Sequence, residues 1–308
     1  MPHNDVPPFF PPDYAYPVRR MTAPLEDRTR GAYGLKLPDV PGAASLLVAA
    51  DDPWLTWRLK HRPVALGSLP DHEILTRDRA LLKLSGRGLV EIDRASCSST
   101  LLLPERPADM EIVHPYLSLT AAASARWRGW NCFHGGGLSV DGGVWGLLGA
   151  QGAGKSSCLA WCSIETRAEV LCDDILVVDN ERNVLAGPRC LDLRGDAARR
   201  FGVGEALGVV GARERWRVPL GPTVSSAPLR GWVQLDWGSE VAIQPVGPSE
   251  RFAAIARNLA LRVLPPNAES LLKLVDLPVL RFSRPRDYEQ IGSASERLLA
   301  ALSAYPRQ

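Results

Sequence analysis

The sequence predicts an α/β chain: a core in which buried strands alternate with helices, preceded by a small β-rich lobe. Three observations carry this. Residues 144–148 are a short apolar run that enters a glycine-rich turn and emerges on a helix-compatible stretch, 157–163. Residues 168–172 and 175–178 are two further apolar runs, interrupted only by Asp173-Asp174. From residue 31 to 115, short apolar segments are broken by turn formers, a pattern of strands and hairpins.

Taken in order, residues 1–30 open with Pro2, Pro7, Pro8, Pro11, Pro12 and Pro17 among aromatics. That proline density removes backbone donors and fixes φ too often for a regular element, so a tail is expected, with docking on a partner subunit through Phe9, Phe10 and Tyr14 as the alternative. In the lobe, 31–115, residues 33–37 and 44–50 read as strands, and 80–84 with 88–92 as a hairpin through 85–87. Asp51-Asp52 and His72-Glu73 read as solvated loop residues. The remaining domain, 116–308, begins with an alanine- and leucine-rich helix, 116–127, ending near Gly129. After the glycine run 135–137, strands 138–140 and 144–148 form a hairpin over Asp141-Gly142-Gly143. Arginines 189, 194, 199, 200, 213, 215 and 217 suit phosphate or carboxylate recognition through their planar donor fork, and an exposed basic face is the alternative. The glycine-rich stretch 203–212 reads as a mobile loop. Strands 231–237 and 241–245, helices 249–261 and 267–274, strand 279–282 and helix 293–302 complete the chain.

With 308 residues there is room for one large or two modest domains. A formal net charge of +2 gives no strong field, so neither nucleic acid nor a membrane surface is an expected partner. No apolar run approaches the roughly 20 residues of a membrane helix. Arg19-Arg20 is followed by the polar, charged stretch 22–30 rather than the apolar one an export signal needs. The six cysteines show no metal-ligand spacing with histidines. They read as small buried apolar residues in a reducing compartment, and the expected location is the cytosol.

The chemistry concentrates between 134 and 174. Residues 149–156, Gly-Ala-Gln-Gly-Ala-Gly-Lys-Ser, fit G-x-x-x-x-G-K-[ST], the phosphate-binding loop. Gly149, Gly152 and Gly154 allow backbone conformations that a Cβ would forbid, so that successive N–H groups can face one point. The helix that follows adds partial positive charge there. Lys155 can reach β- and γ-phosphates, and the Ser156 hydroxyl can ligate Mg²⁺. ATP is therefore assigned to Gly149, Gln151, Gly152, Ala153, Gly154, Lys155, Ser156 and Ser157. Two acids closing an apolar strand downstream of such a loop have a ready use. One can hold Mg²⁺ while the other accepts a proton from an attacking hydroxyl. A plain turn between strands is the alternative. His134 is placed at the start of the strand that the hairpin could return to the nucleotide, and a purely structural histidine is the alternative.

Together His134-Gly135, the loop 149–156 and Val170-Leu171-Cys172-Asp173-Asp174 resemble the HPr kinase/phosphorylase family, in particular its short serine-kinase relatives of the lasso-peptide precursor kinase type. Tyr33-Gly34-Leu35 and Pro278-Val279-Leu280-Arg281 are similar to the start and finish of those relatives. The likeness is concentrated in residues 130–195. It implies a P-loop core of the HPr kinase/phosphoenolpyruvate carboxykinase type behind the β-rich N-terminal lobe. It also implies Mg²⁺-dependent transfer of phosphate from ATP to a serine or threonine hydroxyl of a peptide or protein, with a ribosomally made precursor as one such acceptor. Asp173 takes the role of base, His134 tunes it, Lys155 holds phosphate, and Ser156 and Asp174 are the metal ligands. The sequence departs from the bifunctional members at Ser157, where they carry Glu, and at Asp192-Leu193-Arg194-Gly195-Asp196-Ala197, where they carry Glu-x-Arg-Gly and an apolar continuation. Both departures weaken any expectation of the phosphorylase reaction or of HPr as substrate. A small-molecule hydroxyl kinase, a nucleotide-sensing module without transfer, and a homo-oligomeric assembly stay open as alternatives.

Overall fold

The computed structural model describes residues 29–51, 53–84, 88–261 and 267–306. The expected tail, up to residue 28, and the 85–87 turn lie outside the described residues.

The centre is an eight-stranded sheet whose longest members are Asn131–Val140 and Ser226–Trp237. Asn131–Val140 pairs antiparallel with Gly143–Leu148 on one side and with Val170–Cys172 and Ile175–Val178 on the other. Gly143–Leu148 also runs parallel to Ser226–Trp237, which runs parallel to Val279–Arg284. Three parallel strands therefore end along one edge, at Leu148, Trp237 and Arg284. The crevice outside the carboxyl ends of parallel strands is where α/β folds bind ligands, and the site described below lies there. The hairpin turn is the expected one: Asp141 and Gly142 both have positive φ, 51° and 76°, as a two-residue turn between twisted strands requires.

The glycine run expected to precede a short strand lies inside a longer one, Asn131–Val140. Packing is the reason. A Cβ on Gly136 would stand 2.5 Å from Leu159 Cδ1 and 3.1 Å from the carbonyl oxygen of Cys172. Glycine here lets the helix Lys155–Glu165 and the strand Val170–Cys172 close on the same backbone.

Around this sheet sit a three-stranded sheet, in the order Cys190–Leu193, Arg213–Pro219, Glu205–Val210, and two sheets from the first part of the chain. The lobe differs from expectation in detail. Residues 33–37 are not one strand: Tyr33 and Gly34, both at positive φ, turn the chain between Arg30–Ala32 and Leu35–Lys36. Within 44–50 only Val48–Ala49 is a strand, because Pro41 starts a 3-10 turn that runs to Leu46. The hairpin of Arg79–Leu84 with Gly88–Asp93 is present. The stretch expected to be a mobile loop, 203–212, contains the strand Glu205–Val210. Gly208, at φ 69°, takes up a register shift against Arg213–Pro219.

One large apolar cluster runs through both regions, from Leu82, Val90 and Leu101 to Phe133, Leu176 and Trp232. No helix among the described residues is long and apolar enough to cross a membrane.

Candidate functional site

The loop is built as a strand, a turn and a helix in immediate succession. Gly143–Leu148 is buried along its whole length, and Lys155–Glu165 starts at Gly154, whose φ of 78° is left-handed. Two side chains from distant parts of the chain brace the turn. The Gly149 N–H donates to Asn258 Oδ1 at 3.2 Å, and the backbone carbonyl of Asn258 accepts from His134 N at 2.7 Å. On the opposite side Arg284 Nη2 donates to the carbonyls of Ala153 and Gly154, at 2.9 and 3.3 Å. Lys155 is buried, and its ammonium donates to the carbonyls of Gly149 and Ala150, at 2.7 and 3.2 Å. Burial lowers its pKa, against the opposing pull of Asp173 and Asp174.

Asp173 and Asp174 occupy the break between Val170–Cys172 and Ile175–Val178, both of which pair with the glycine-containing strand. Asp174 has φ 72°, a conformation that aspartate tolerates better than most side chains, and its carbonyl accepts from Gly135 N at 3.1 Å. The kink turns the two carboxyl groups toward separate hydroxyls. Ser156, in the first turn of the loop helix, donates to Asp173 Oδ1 at 3.1 Å, and Ser118 donates to Asp174 Oδ2 at 2.7 Å. His134 Nδ1 lies 3.7 Å from Asp174 Oδ1, so its ion contact is with the second acid of the pair.

The environment separates the two acids. Asp173 is 4% exposed, and burial together with the charge of Asp174 lifts its pKa above the ordinary carboxylate value. Burial pushes Asp174 the same way. There it is outweighed by His114, His134, the Ser118 hydrogen bond and Arg215, and the pKa falls below the ordinary value. Neighbouring carboxyls with opposed shifts are the arrangement in which one can exchange a proton while the other stays charged.

A cavity of about 750 Å³ holds all of this. Gln151, Gly152, Gly154, Lys155, Ser156, Ser157, Asp173, Asp174 and His134 line it. Gly149 and Ala153 brace it from behind through the bonds to Asn258 and Arg284. The residues singled out from the sequence are thus brought to one place.

The arginine-rich segment divides. Arg189, Arg215 and Arg217 are not an exposed basic face, and although Arg215 contributes to the cavity wall, none of the three is a free anion binder. They are buried because protein acceptors consume them. Arg189 donates to the carbonyls of Gly221 and Val170. Arg217 and Arg215 converge on the buried carboxylate of Asp192, at 3.0 and 3.3 Å, and Arg217 also reaches the carbonyls of Met110 and His114. Arg194 and Arg213 do line the cavity.

Five cysteines are buried and Cys97 is partly so, all reduced. Contrary to the spacing, Cys190 lies with His114 and Asp192 close enough for one metal ion. The chemistry of the donors argues against a metal there. Two guanidiniums already neutralise Asp192, and burial pushes the Cys190 thiol up to about 12, far from the thiolate a metal needs.

Several contributors were not assigned to the site from the sequence. Tyr33, buried in the lobe, donates its hydroxyl to the carbonyl of Asp173 at 3.1 Å across 140 positions of chain. Ser118 and Asn258 are likewise joined to the site only by the fold.

No protein-family description matches the sequence, and no curated protein matches it. Among solved structures, the chain is similar to the Hpr(Ser) kinase/phosphatase from Coxiella burnetii, with a TM-score of 0.29 and 10% identity, over 56% of this chain and 99% of that one. A likeness at that level says nothing of activity or substrate.

Proposed function

We propose that this chain transfers the γ-phosphoryl group of Mg·ATP to a hydroxyl, and that the acceptor is a serine or threonine of a peptide or protein. One observation carries the reading. Two adjacent carboxyls, one with its pKa raised and one with it lowered, share a cavity with a glycine loop whose own helix supplies the hydroxyl that touches the first of them.

ATP fits the loop on its own terms. The left-handed Gly152 and Gly154 leave the inner side of the turn without side chains, and a Cβ on Gly152 would meet nothing within 4 Å. Binding would exchange the Lys155 bonds to loop carbonyls for stronger charge-assisted bonds to phosphate. Ser156 Oγ and the carboxylate of Asp174 are oxygen donors of the kind a hard dication takes. These residues would hold Mg²⁺, which neutralises charge on phosphoryl oxygens when bound.

The remaining chemistry belongs to this chain's side chains. The acceptor oxygen bonds to the γ-phosphorus, the bond from that phosphorus to the β-bridging oxygen breaks, and ADP departs. The hydroxyl proton passes to Asp173, whose raised pKa suits it to accept. Asp174 stays ionised through Ser118 and His134. Arg213 and Arg194 stand at the wall where negative charge accumulates in transfer. The cavity is also lined by Lys83, Leu84 and Pro115 of the lobe, which gives a peptide chain a surface to lie on. A ribosomally made precursor peptide is the acceptor class carried over from the sequence resemblance.

The test pairs binding with transfer. Wild-type protein incubated with ATP, Mg²⁺ and serine-containing peptides should yield a phosphopeptide by mass spectrometry. Asp173→Asn should bind nucleotide within a fewfold of wild type and lose at least about a hundredfold in transfer. Equal transfer by both proteins would exclude Asp173 as base. Phosphorylation of free serine in preference to peptides would replace the acceptor class.

A further inference from the structure

We infer that the base of the bound nucleotide stacks on the exposed face of Trp237, which Arg284 fixes beside the phosphate loop. This rests on the nucleotide reading above and assigns the part of the ligand that the loop does not hold.

Trp237 ends the parallel strand Ser226–Trp237, in register with Arg284 at the end of the next strand and one strand away from Leu148, where the loop begins. Topology alone therefore sets the indole on the loop's edge. The contact is close: a Cβ built on Gly154 would lie 3.1 Å from Trp237 Cη2. An aromatic ring of that size is ordinarily buried, yet 41% of Trp237 is exposed, and the exposed part lines the cavity.

Arg284 supplies the second, independent observation. It is 2% exposed, and its guanidinium carbon lies 4.5 Å over the Trp237 ring and 5.2 Å over that of Phe282. Its Nη2 bonds the carbonyls of Ala153 and Gly154, while Nη1 has no hydrogen-bond partner among the described residues. A buried guanidinium with an unused donor is costly. Here it holds one group rigidly in two directions, tying the indole to the backbone of the turn that cradles phosphate. The exposed Arg286 has its guanidinium carbon 6.0 Å from the centroid of the same ring.

A rigid indole next to a triphosphate cradle fits a flat, polarisable heterocycle attached to that triphosphate. Stacking of this kind tolerates different bases because each presents a π-face. The ligand class is a nucleoside triphosphate, recognised by the face of its base.

The test separates ring from phosphates. Binding of Mg·ATP and of magnesium tripolyphosphate is measured by calorimetry on the whole chain as wild type, Trp237→Ala and Trp237→Phe. Trp237→Ala should weaken ATP by about tenfold to a hundredfold and leave tripolyphosphate within about twofold, with Trp237→Phe recovering most of the ATP affinity. On wild type, ATP should quench indole fluorescence more than tripolyphosphate does, and the difference should vanish in Trp237→Phe. If both ligands bind all three proteins with unchanged affinity and no differential quench, the ring lies elsewhere and the inference is overturned while the loop reading stands. If neither ligand binds wild type, the loop reading fails and takes this one with it. Equal loss of both ligands in Trp237→Ala would make the residue a support of the loop and also overturn the stacking.

Discussion

At the scale of single residues, the two acids show how one local break gives neighbouring groups different chemistry. Asp173 is buried, takes one hydroxyl and feels the charge beside it. Asp174 is more open and meets Ser118 and His134. The sign of each shift has consequences. A carboxyl whose pKa is higher folded than unfolded binds its proton more tightly in the native state, so its ionisation above the ordinary carboxylate range works against folding. Transfer should accordingly rise with pH through the elevated pKa of Asp173 and level off above it, and the limb should be missing from the residual rate of Asp173→Asn. The same variant should unfold at or above the wild-type temperature at pH 7, because it removes a buried charge and a like-charge contact. Lower thermal stability would mean that the carboxylate is held by contacts other than those described. Of this pair, the sequence disclosed position and residue type. Their separate roles depend on Ser118, 56 positions away, which no local pattern connects to them.

At the scale of elements, what was legible is what the chain makes from contiguous residues. The loop 149–156 could be read because strand, turn and helix follow one another without a partner. The Asp141-Gly142 hairpin could be read for the same reason. The glycines at 135–137 looked like an interruption because their purpose lies in Leu159 and Cys172, which only the fold brings against them. Three of the arginines in 189–217 were likewise read by what arginine can do in general, whereas their partners are carbonyls and Asp192 elsewhere. Gly154 offers a direct test of the loop as an element. Alanine there must adopt a left-handed conformation costing about 1–2 kcal/mol, and its Cβ would crowd Arg284 Nη2, 2.5 Å away. Gly154→Ala should lose about that much stability by chemical denaturation and about tenfold in nucleotide affinity, with the sheet intact by circular dichroism. Undiminished nucleotide affinity would show that the turn geometry is not what binds.

Across the whole molecule, the lobe and the core are joined rather than merely adjacent. They share one apolar cluster, Tyr33 reaches Asp173, and Arg217 binds the carbonyls of Met110 and His114 while paired with Asp192. Asp192 is the hinge of that last network. Burial would raise its pKa, but His114, Arg217 and Arg215 outweigh this and hold it below the ordinary value. The stability it contributes is therefore complete above about pH 4 and lost as pH falls through its depressed native pKa. Asp192→Asn leaves two buried guanidiniums without their counter-charge and should cost about 3–5 kcal/mol in denaturant unfolding. A cost under about 1 kcal/mol would show the network to be dispensable.

The claim on which the functional account stands is that loop and acids serve one nucleotide and its metal. A crystal structure with Mn²⁺ in place of Mg²⁺ and a non-hydrolysable ATP analogue tests it most directly, because the anomalous signal locates the ion independently of the phosphates. We expect the terminal phosphates within hydrogen-bond reach of Lys155 and the loop N–H groups, and the ion against Ser156 Oγ and at least one carboxylate of Asp173 or Asp174. Phosphates seated away from residues 149–156, or an ion that touches neither acid, would contradict the account.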